Sequence, residues 1–264
     1  MKKFFVVGNP IKHSLSPELH NYWIKQYNLN CQYEKIEASP DDIKNIINNL
    51  KVKKIHGLNI TVPYKQMIIP YLDKLSPEAE LTNSVNTVIF EKEKLYGHNT
   101  DINGFELAIR HCKYDLENKE ILILGAGGVV PSIVYALKKS KVKKINLMNR
   151  TYENALKIKQ IFNDVCLIKW NDNCDYDMII NATSVGLNET DEIKINYNIN
   201  GKKKFFFDVI YNPQKTNFLK EAEKNDHRIE NGKMMFIYQA HQAFTLWHKK
   251  MPIIDEEVIN IISK

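Results

Sequence analysis

Cysteine is scarce and scattered in this 264-residue sequence: Cys31, Cys112, Cys166 and Cys174 form no Cys-x-x-Cys pair, and no His-x-x-x-His spacing accompanies them. That excludes the usual signatures of a disulfide frame or a zinc site, and predicts reduced thiols in a cytoplasmic protein with no metal. Long apolar runs are also missing. Lys2 and Lys3 precede only the apolar stretch Phe4 to Val7 before Gly8-Asn9-Pro10. A secretory signal needs about 7–15 apolar residues and a membrane span about 18, so neither is expected. Repeats, low-complexity tracts and Pro/Gly/Ser-rich linkers are absent as well.

What remains is the composition of a globular protein, 44% hydrophobic and 26% charged. Its length favours two modest domains of the usual ~100–200 residues. The net charge of +6 comes with short lysine runs at Lys51 to Lys54, Lys141 to Lys144 and Lys202 to Lys204. Each run falls between structural elements, which points to solvated loops and not to a nucleic-acid surface. A mild positive field still helps gather anionic ligands.

Short apolar strands alternate with amphipathic helices along the chain, the pattern of an α/β protein. Strands are predicted at Phe4 to Val7, Gln32 to Ile36, Gly57 to Val62 and Val85 to Phe90. Helices are predicted over Pro17 to Tyr27, with Ser16 as N-cap, and near Asp41 to Leu50. Glu91 to Lys94 reads as a hairpin turn into Leu95-Tyr96. After Asp101, Phe105, Ala108, Ile109 and Cys112 share one helical face. Ile121 to Leu124 then runs into Gly125-Ala126-Gly127-Gly128 and a helix through Lys139. Strands at Ile145 to Met148, Cys166 to Ile168, Met178 to Ile180 and Phe205 to Asp208 complete a parallel-sheet unit of dinucleotide-binding size. From Lys233 the chain is helical and packs back onto the first domain. The expected division is therefore residues 1–101 with 233–264 as one α/β domain, and 102–232 as a Rossmann-like dinucleotide-binding domain.

Gly125 to Gly128 sits where a phosphate loop belongs, between strand and helix. Glycine there permits the tight turn and lets backbone N–H groups approach a pyrophosphate at the helix start. Val130 takes the third position of the common G-x-G-x-x-G spacing, and Pro131 falls in the first helical turn, where its missing N–H costs little. After the next strand, NAD sites carry an Asp or Glu for the ribose 2′-hydroxyl. Here the sequence is Asn149-Arg150-Thr151. Arg150 suits a 2′-phosphate and Thr151 adds a hydroxyl, so NADP is the expected cofactor. A bland alternative makes Arg150 a solvated residue and Thr151 a simple helix cap.

Four polar segments mark the first domain. Ser14 and Ser16 stand before a helix start, either as ordinary capping residues or as a carboxylate cradle. In Asn59-Ile60-Thr61-Val62-Pro63-Tyr64-Lys65, strand alternation places Asn59 and Thr61 on one face, and Pro63 ends the strand before Lys65. Asn86 interrupts an apolar strand, where asparagine is disfavoured. Asn99-Thr100-Asp101 closes the domain. Together these segments supply an ammonium, a carboxylate, amides and hydroxyls, without a Ser-His-Asp array. Such equipment suits a polyol and a single proton transfer.

These segments, in this order, resemble the shikimate dehydrogenase family. The likeness runs from Gly8-Asn9-Pro10-Ile11-x-His13-Ser14-x-Ser16-Pro17 through Asn59 to Lys65, Val85-Asn86-Thr87, Asn99-Thr100-Asp101, Gly125 to Gly128 and Asn149-Arg150-Thr151. It continues with Asn181-Ala182-Thr183-Ser184-x-Gly186, Asp208-x-x-Tyr211-x-Pro213, Gly232 to Met235, and Gln239, Ala240, Phe244 and Trp247. The resemblance implies reversible reduction of 3-dehydroshikimate to shikimate with NADPH, a step toward chorismate and the aromatic amino acids. It implies Lys65 and Asp101 as the catalytic pair, and Ser14 and Ser16 as carboxylate ligands, helped by Tyr211. Asn59, Thr61, Asn86, Asp101 and Gln239 would then hold ring hydroxyls. Gly125, Ala126, Gly127, Gly128, Asn149, Arg150 and Thr151 would hold NADP, with Gly232 and Met235 near its nicotinamide.

Ketone reduction builds negative charge on oxygen, which a lysine ammonium can stabilise and protonate. A neighbouring carboxylate favours the ammonium and burial opposes it, so the sequence leaves open which partner accepts the proton in reverse. Departures from the family pattern are Asn154, where an arginine often adds a second 2′-phosphate clamp, Val129 and Val130 in the turn, and Asn103. Lys157 or Lys159 are candidate substitutes for that arginine. Rival assignments are a quinate/shikimate enzyme with relaxed cofactor use, a non-catalytic ligand sensor, and a folate-interconverting dehydrogenase. Two serines with Arg150 favour shikimate and NADP over the first, and the retained Lys65 and Asp101 argue against the second. The third lacks the serine pair in that role. Monomer and homodimer are both compatible with the sequence.

Overall fold

The computed structural model describes residues 1–170, 172–197 and 203–263; Lys202, from one of the lysine runs, lies outside them. In chain order the elements are β1 (Lys2–Gly8), α1 (Ser16–Gln26), β2 (Cys31–Glu37), α2 (Asp42–Lys51), β3 (Gly57–Ile60), β4 (Lys74–Leu75), α3 (Pro77–Thr82), β5 (Thr87–Glu91), β6 (Lys94–His98) and α4 (Asp101–His111). They continue with β7 (Glu120–Leu124), α5 (Val130–Lys139), β8 (Lys144–Met148), α6 (Tyr152–Ile161), β9 (Cys166–Ile168), β10 (Met178–Asn181), β11 (Phe205–Asp208), α7 (Asn217–Lys224), β12 (Arg228–Glu230), α8 (Lys233–His248) and α9 (Glu256–Ser263). Two compact units result, Met1–Gly104 with Ile237–Lys264, and Phe105–Phe236.

The first unit holds a mixed sheet in the order β2-β1-β3-β5-β6-β4. β1 pairs in parallel with β2 and β3, whereas β5 runs antiparallel to both β3 and β6. The β5–β6 hairpin turns at Lys92 and Glu93, both at positive φ (51° and 58°), the backbone that a two-residue hairpin of primed type requires. α2 explains itself by spacing: Ile43, Ile46, Ile47 and Leu50 form one apolar stripe, all buried in a cluster with Val7, Leu58 and Val88. Truncating one of these isoleucines to alanine costs about 2–5 kcal/mol.

An aromatic cluster forms from α1, β1 and the C-terminal helices. His20 stacks on Tyr33 at 4.2 Å and 3°, and lies edge-on to Trp23 at 5.8 Å. The chain end is tied down by Trp23 Nε1 donating to the Ile253 carbonyl (3.0 Å) and Trp247 Nε1 to the Val88 carbonyl (3.1 Å). These bonds account for the expected return of the C-terminal helices.

The second unit is a fully parallel sheet in the order β12-β11-β10-β7-β8-β9. Numbered within the unit this is 6-5-4-1-2-3, the doubly wound arrangement, with its direction of winding reversing between β7 and β10. Ile121 to Leu124, Met178 to Ile180 and Phe205 to Phe207 are all buried, as strands covered on both faces must be. Among the described residues no helix is long and apolar enough to cross a membrane.

Several sequence expectations need correction. α1 begins at Ser16, so Leu15 holds the cap position and no side chain caps the helix. β3 ends at Ile60 and leaves Thr61 beyond the strand. β5 starts at Thr87, so Asn86 precedes the strand instead of interrupting it. β11 does not close the series, because α7 and the three-residue β12 follow.

His20 is 1% exposed, and neither ring nitrogen has a hydrogen-bond partner. Burial, with repulsion from His248 second, holds its pKa down at about 3. In the unfolded chain it titrates near 6.5, so below that pH unfolding takes up a proton and the folded state loses stability. His20→Phe should therefore gain over the parent as pH falls, by about 2 kcal/mol at pH ~5. Thermal unfolding at pH ~7.5 and ~5 checks this; a pH-independent difference would contradict it.

Candidate active site

Lys65 reaches its position through a turn. β3 gives way to Thr61-Val62-Pro63, Tyr64 N–H closes back on the Thr61 carbonyl (2.9 Å), and the buried Tyr64 hydroxyl donates to the Ala38 carbonyl. The Lys65 carbonyl accepts from Val85 N–H (2.9 Å), which fixes it beside Asn86. The Asn86 backbone joins two strands, donating to the His98 carbonyl (3.0 Å) and accepting from Ile60 N–H (2.8 Å). Asp101 opens α4, where a carboxylate suits the helix dipole, and its N–H donates to Asn99 Oδ1 (3.2 Å).

These supports bring Lys65 Nζ within 2.5 Å of Asp101 Oδ2, with the two residues 9% and 6% exposed. Asn86 Nδ2 donates to the other carboxylate oxygen at 2.9 Å. A buried ion pair is a poor stability device, because desolvation offsets its attraction, while losing one partner strands the other at about 3–5 kcal/mol.

The other residues that the sequence groups with this pair are Asn59, Thr61, Ser14, Ser16 and Gln239. Asn59 is buried, with Oδ1 accepting from Tyr33 Oη (2.7 Å) and Nδ2 donating to the Asn86 carbonyl and Thr87 Oγ1 (both 3.0 Å). Thr61 is half-buried, and its methyl fills the space a side chain on Gly8 would need. Ser14 and Ser16 come together, Oγ to Oγ at 3.2 Å, with Ser16 N–H on Ser14 Oγ at 3.3 Å. Since Ser16 does not cap α1, its hydroxyl is not spent on the helix. Gln239 lies half-buried on α8.

In the second unit, Gly125 follows β7 at φ +108°, and a Cβ there would lie 2.7 Å from the Ala182 carbonyl oxygen. The turn thus packs against the loop after β10, at the point where the winding reverses. Ala126 and Gly128 are half-buried. Gly127 is exposed, and its missing side chain faces space that is open out to 3.9 Å. Asn149 Nδ2 donates to the Thr151 carbonyl (2.6 Å) and shapes the turn after β8. Arg150 is exposed and pairs with no other side chain among the described residues. Thr151 occupies the cap position of α6 without making a cap bond, so simple capping does not account for it. An open glycine turn, an unpaired guanidinium and no acid at the end of β8 fit a 2′-phosphorylated dinucleotide.

Lys159 does not replace the missing arginine: its ammonium is held by the carbonyls of Asn163 (3.2 Å) and Val165 (2.8 Å). Lys157 instead reaches Asn154 Oδ1 at 3.4 Å. Tyr211 packs its ring on Phe236 at 4.3 Å. Gly232 is pressed against the Val209 carbonyl, which leaves no room for a Cβ, and Met235 is buried on α8. The Tyr211 loop hangs on Asp208, a carboxylate that accepts from Asn181 Nδ2 (3.0 Å), Ile210 N–H (3.0 Å) and Thr216 Oγ1 (2.6 Å). Burial pushes the Asp208 carboxyl up to about 6 despite these donors. Sequence motifs contained Asp208, Asn181 and Thr87 but gave them no role, and Tyr33 looked like any strand residue.

Residues 6–88 match the model of the shikimate dehydrogenase substrate binding domain, and residues 106–225 that of shikimate / quinate 5-dehydrogenase. The NADP(+) shikimate dehydrogenase of Pelagibacter ubique is 56% identical over 261 residues, 99% of this chain and 98% of that protein. The chain belongs to the shikimate dehydrogenase family. Among solved members of the family, the Aquifex aeolicus enzyme superposes with a TM-score of 0.89 at 34% identity, covering 100% of this chain and 98% of that one. A Thermus thermophilus shikimate 5-dehydrogenase, solved with NADP(H) and shikimate, gives 0.89 at 28% identity over the same shares. The doubly wound unit and the mixed-sheet unit are thus those of a shikimate dehydrogenase fold.

Gly125→Ala places a Cβ at positive φ against the Ala182 carbonyl, and should destabilise this dehydrogenase by more than about 1–2 kcal/mol. Thermal unfolding reads the loss; an unchanged midpoint would show that the turn tolerates a side chain.

Proposed function

We propose that this chain catalyses the reversible, NADP-dependent reduction of 3-dehydroshikimate to shikimate, with Lys65 and Asp101 as its proton-transfer pair. The observation that carries this reading is the buried contact of Lys65 Nζ with Asp101 Oδ2 at 2.5 Å. When bound, NADPH supplies the hydride. As the ketone carbon accepts it, the carbonyl π pair moves onto oxygen, and a Lys65 ammonium stabilises that charge and donates the proton. Asp101 holds the ammonium in place. In the reverse direction the proton of the alcohol returns to the pair.

Ser14 and Ser16 bind the substrate carboxylate, a role supported by their paired hydroxyls at the start of α1. Tyr211 assists them, and Thr61 and Gln239 bind the ring hydroxyls; Asn59 and Asn86, read from the sequence as further ligands, have their amide hydrogens engaged within the protein and serve to shape the site behind them. Gly125 to Gly128 take the pyrophosphate, Asn149, Arg150 and Thr151 the adenosine 2′-phosphate, and Gly232 and Met235 border the nicotinamide. The substrate domain is residues 1–101 with 233–264, and the NADP domain is 102–232; the two compact units support that division. A cytoplasmic setting agrees with the four cysteines, all free.

Purified protein should oxidise NADPH with 3-dehydroshikimate in preference to quinate-derived substrate or NADH. Lys65→Ala should lower kcat about 10²–10⁴-fold with a much smaller change in KM. A variant with parental turnover would remove Lys65 from the mechanism.

A further inference from the structure

Between Tyr33 and Asp101 the hydrogen bonds run one way. The hydrogens of Asn59 Nδ2 lie on the Asn86 carbonyl and Thr87 Oγ1, each at 3.0 Å, and Oδ1 accepts from Tyr33 Oη at 2.7 Å. Reversing the amide would set Oδ1 against the Asn86 carbonyl, two acceptors face to face. Thr87 Oγ1 therefore accepts from Asn59, and its own single hydrogen goes to Asn86 Oδ1 at 3.1 Å, nearer than Thr100 Oγ1 at 3.4 Å. Asn86 Oδ1 also accepts from Thr100 N–H at 2.8 Å, so Nδ2 must face Thr100 Oγ1 and Asp101 Oδ1, both at 2.9 Å. Tyr33, Asn59, Asn86, Thr87, Thr100 and Asp101 are all buried.

We infer that Thr87 is a positioning residue for catalysis: it couples the amide orientation of Asn59, itself anchored by Tyr33, to that of Asn86, and so aims an N–H donor at the Asp101 carboxylate opposite Lys65. This rests on Lys65 and Asp101 being the catalytic pair. A hydroxyl at position 87 accepts from one amide and donates to the next, joining Thr100 N–H (2.8 Å) and Thr100 Oγ1 (3.2 Å) on Asn86 Oδ1, whereas valine of equal shape can do neither. With 0% exposure Thr87 acts only through its neighbours. Fully satisfied polar networks of this kind fix a single geometry, and loosening one member is felt along the chain.

The test compares Thr87→Val, Thr87→Ser and Tyr33→Phe with Lys65→Ala in steady-state turnover of shikimate with NADP, with thermal unfolding to confirm folding. Thr87→Val should lower kcat about tenfold, with KM for shikimate within about twofold, and Thr87→Ser should restore most of it. Tyr33→Phe should move kcat in the same direction by less, and decides the matter if Thr87→Val does not fold. Parental kcat in folded Thr87→Val or Tyr33→Phe overturns the inference, as does a raised KM at unchanged kcat, which would make the network a substrate-binding device. If Lys65→Ala is inactive while these variants are parental, only the positioning role fails. If Lys65→Ala retains turnover, the assignment of the catalytic pair fails instead.

Discussion

The ion pair of Lys65 with Asp101 is the constraint around which the first unit is arranged. Two opposite charges that are both nearly out of water hold together only if good geometry and further hydrogen bonds offset their desolvation. Here one carboxylate oxygen takes the lysine and the other takes Asn86, while the backbone on either side is tied into the sheet. The polar residues that look extravagant in an apolar sheet are the means of keeping that pair buried. Asn59, Asn86, Thr87 and Thr100 form one network, of which Asn86 Nδ2 donates to the acid.

The second unit follows a different rule. Its central strands β7, β10 and β11 are buried on both faces, and the polar residues Asn181 and Asp208 sit at strand ends, where the chain turns. Gly125 is needed because the loop after β10 leaves no space for a side chain, not merely because a turn is tight. Asn181 and Asp208 are register partners at the ends of β10 and β11, and they bind each other and the two loops that follow. Burial pushes the Asp208 carboxyl up to about 6, and the three donors around it tie the loops after β10 and β11 in place.

Much of this was legible in the sequence because strand and helix periods, glycine at a strand end, and the order of short polar motifs are local properties. The amphipathic stripe of α2 and the Phe205–Asp208 strand could be read directly. β4 and β12, at two and three residues, could not, since so short a run carries no period. Ser16 looked like a cap, but the helix starts on it, and the boundary of a helix is decided by backbone bonds that composition does not encode. The roles of Thr87 and Tyr33 were invisible for a deeper reason. Their significance lies in which atom donates to which across three strands, and donor direction is a tertiary fact.

The central claim is that Lys65 and Asp101 work as one unit. A double-mutant cycle in single-turnover hydride transfer tests it most directly, using Lys65→Ala, Asp101→Ala and the doubly substituted protein. Groups acting as a unit are strongly non-additive, so the doubly substituted enzyme should be no slower than the slower single variant. Rate losses that simply multiply would mean the two side chains act independently and would contradict the account.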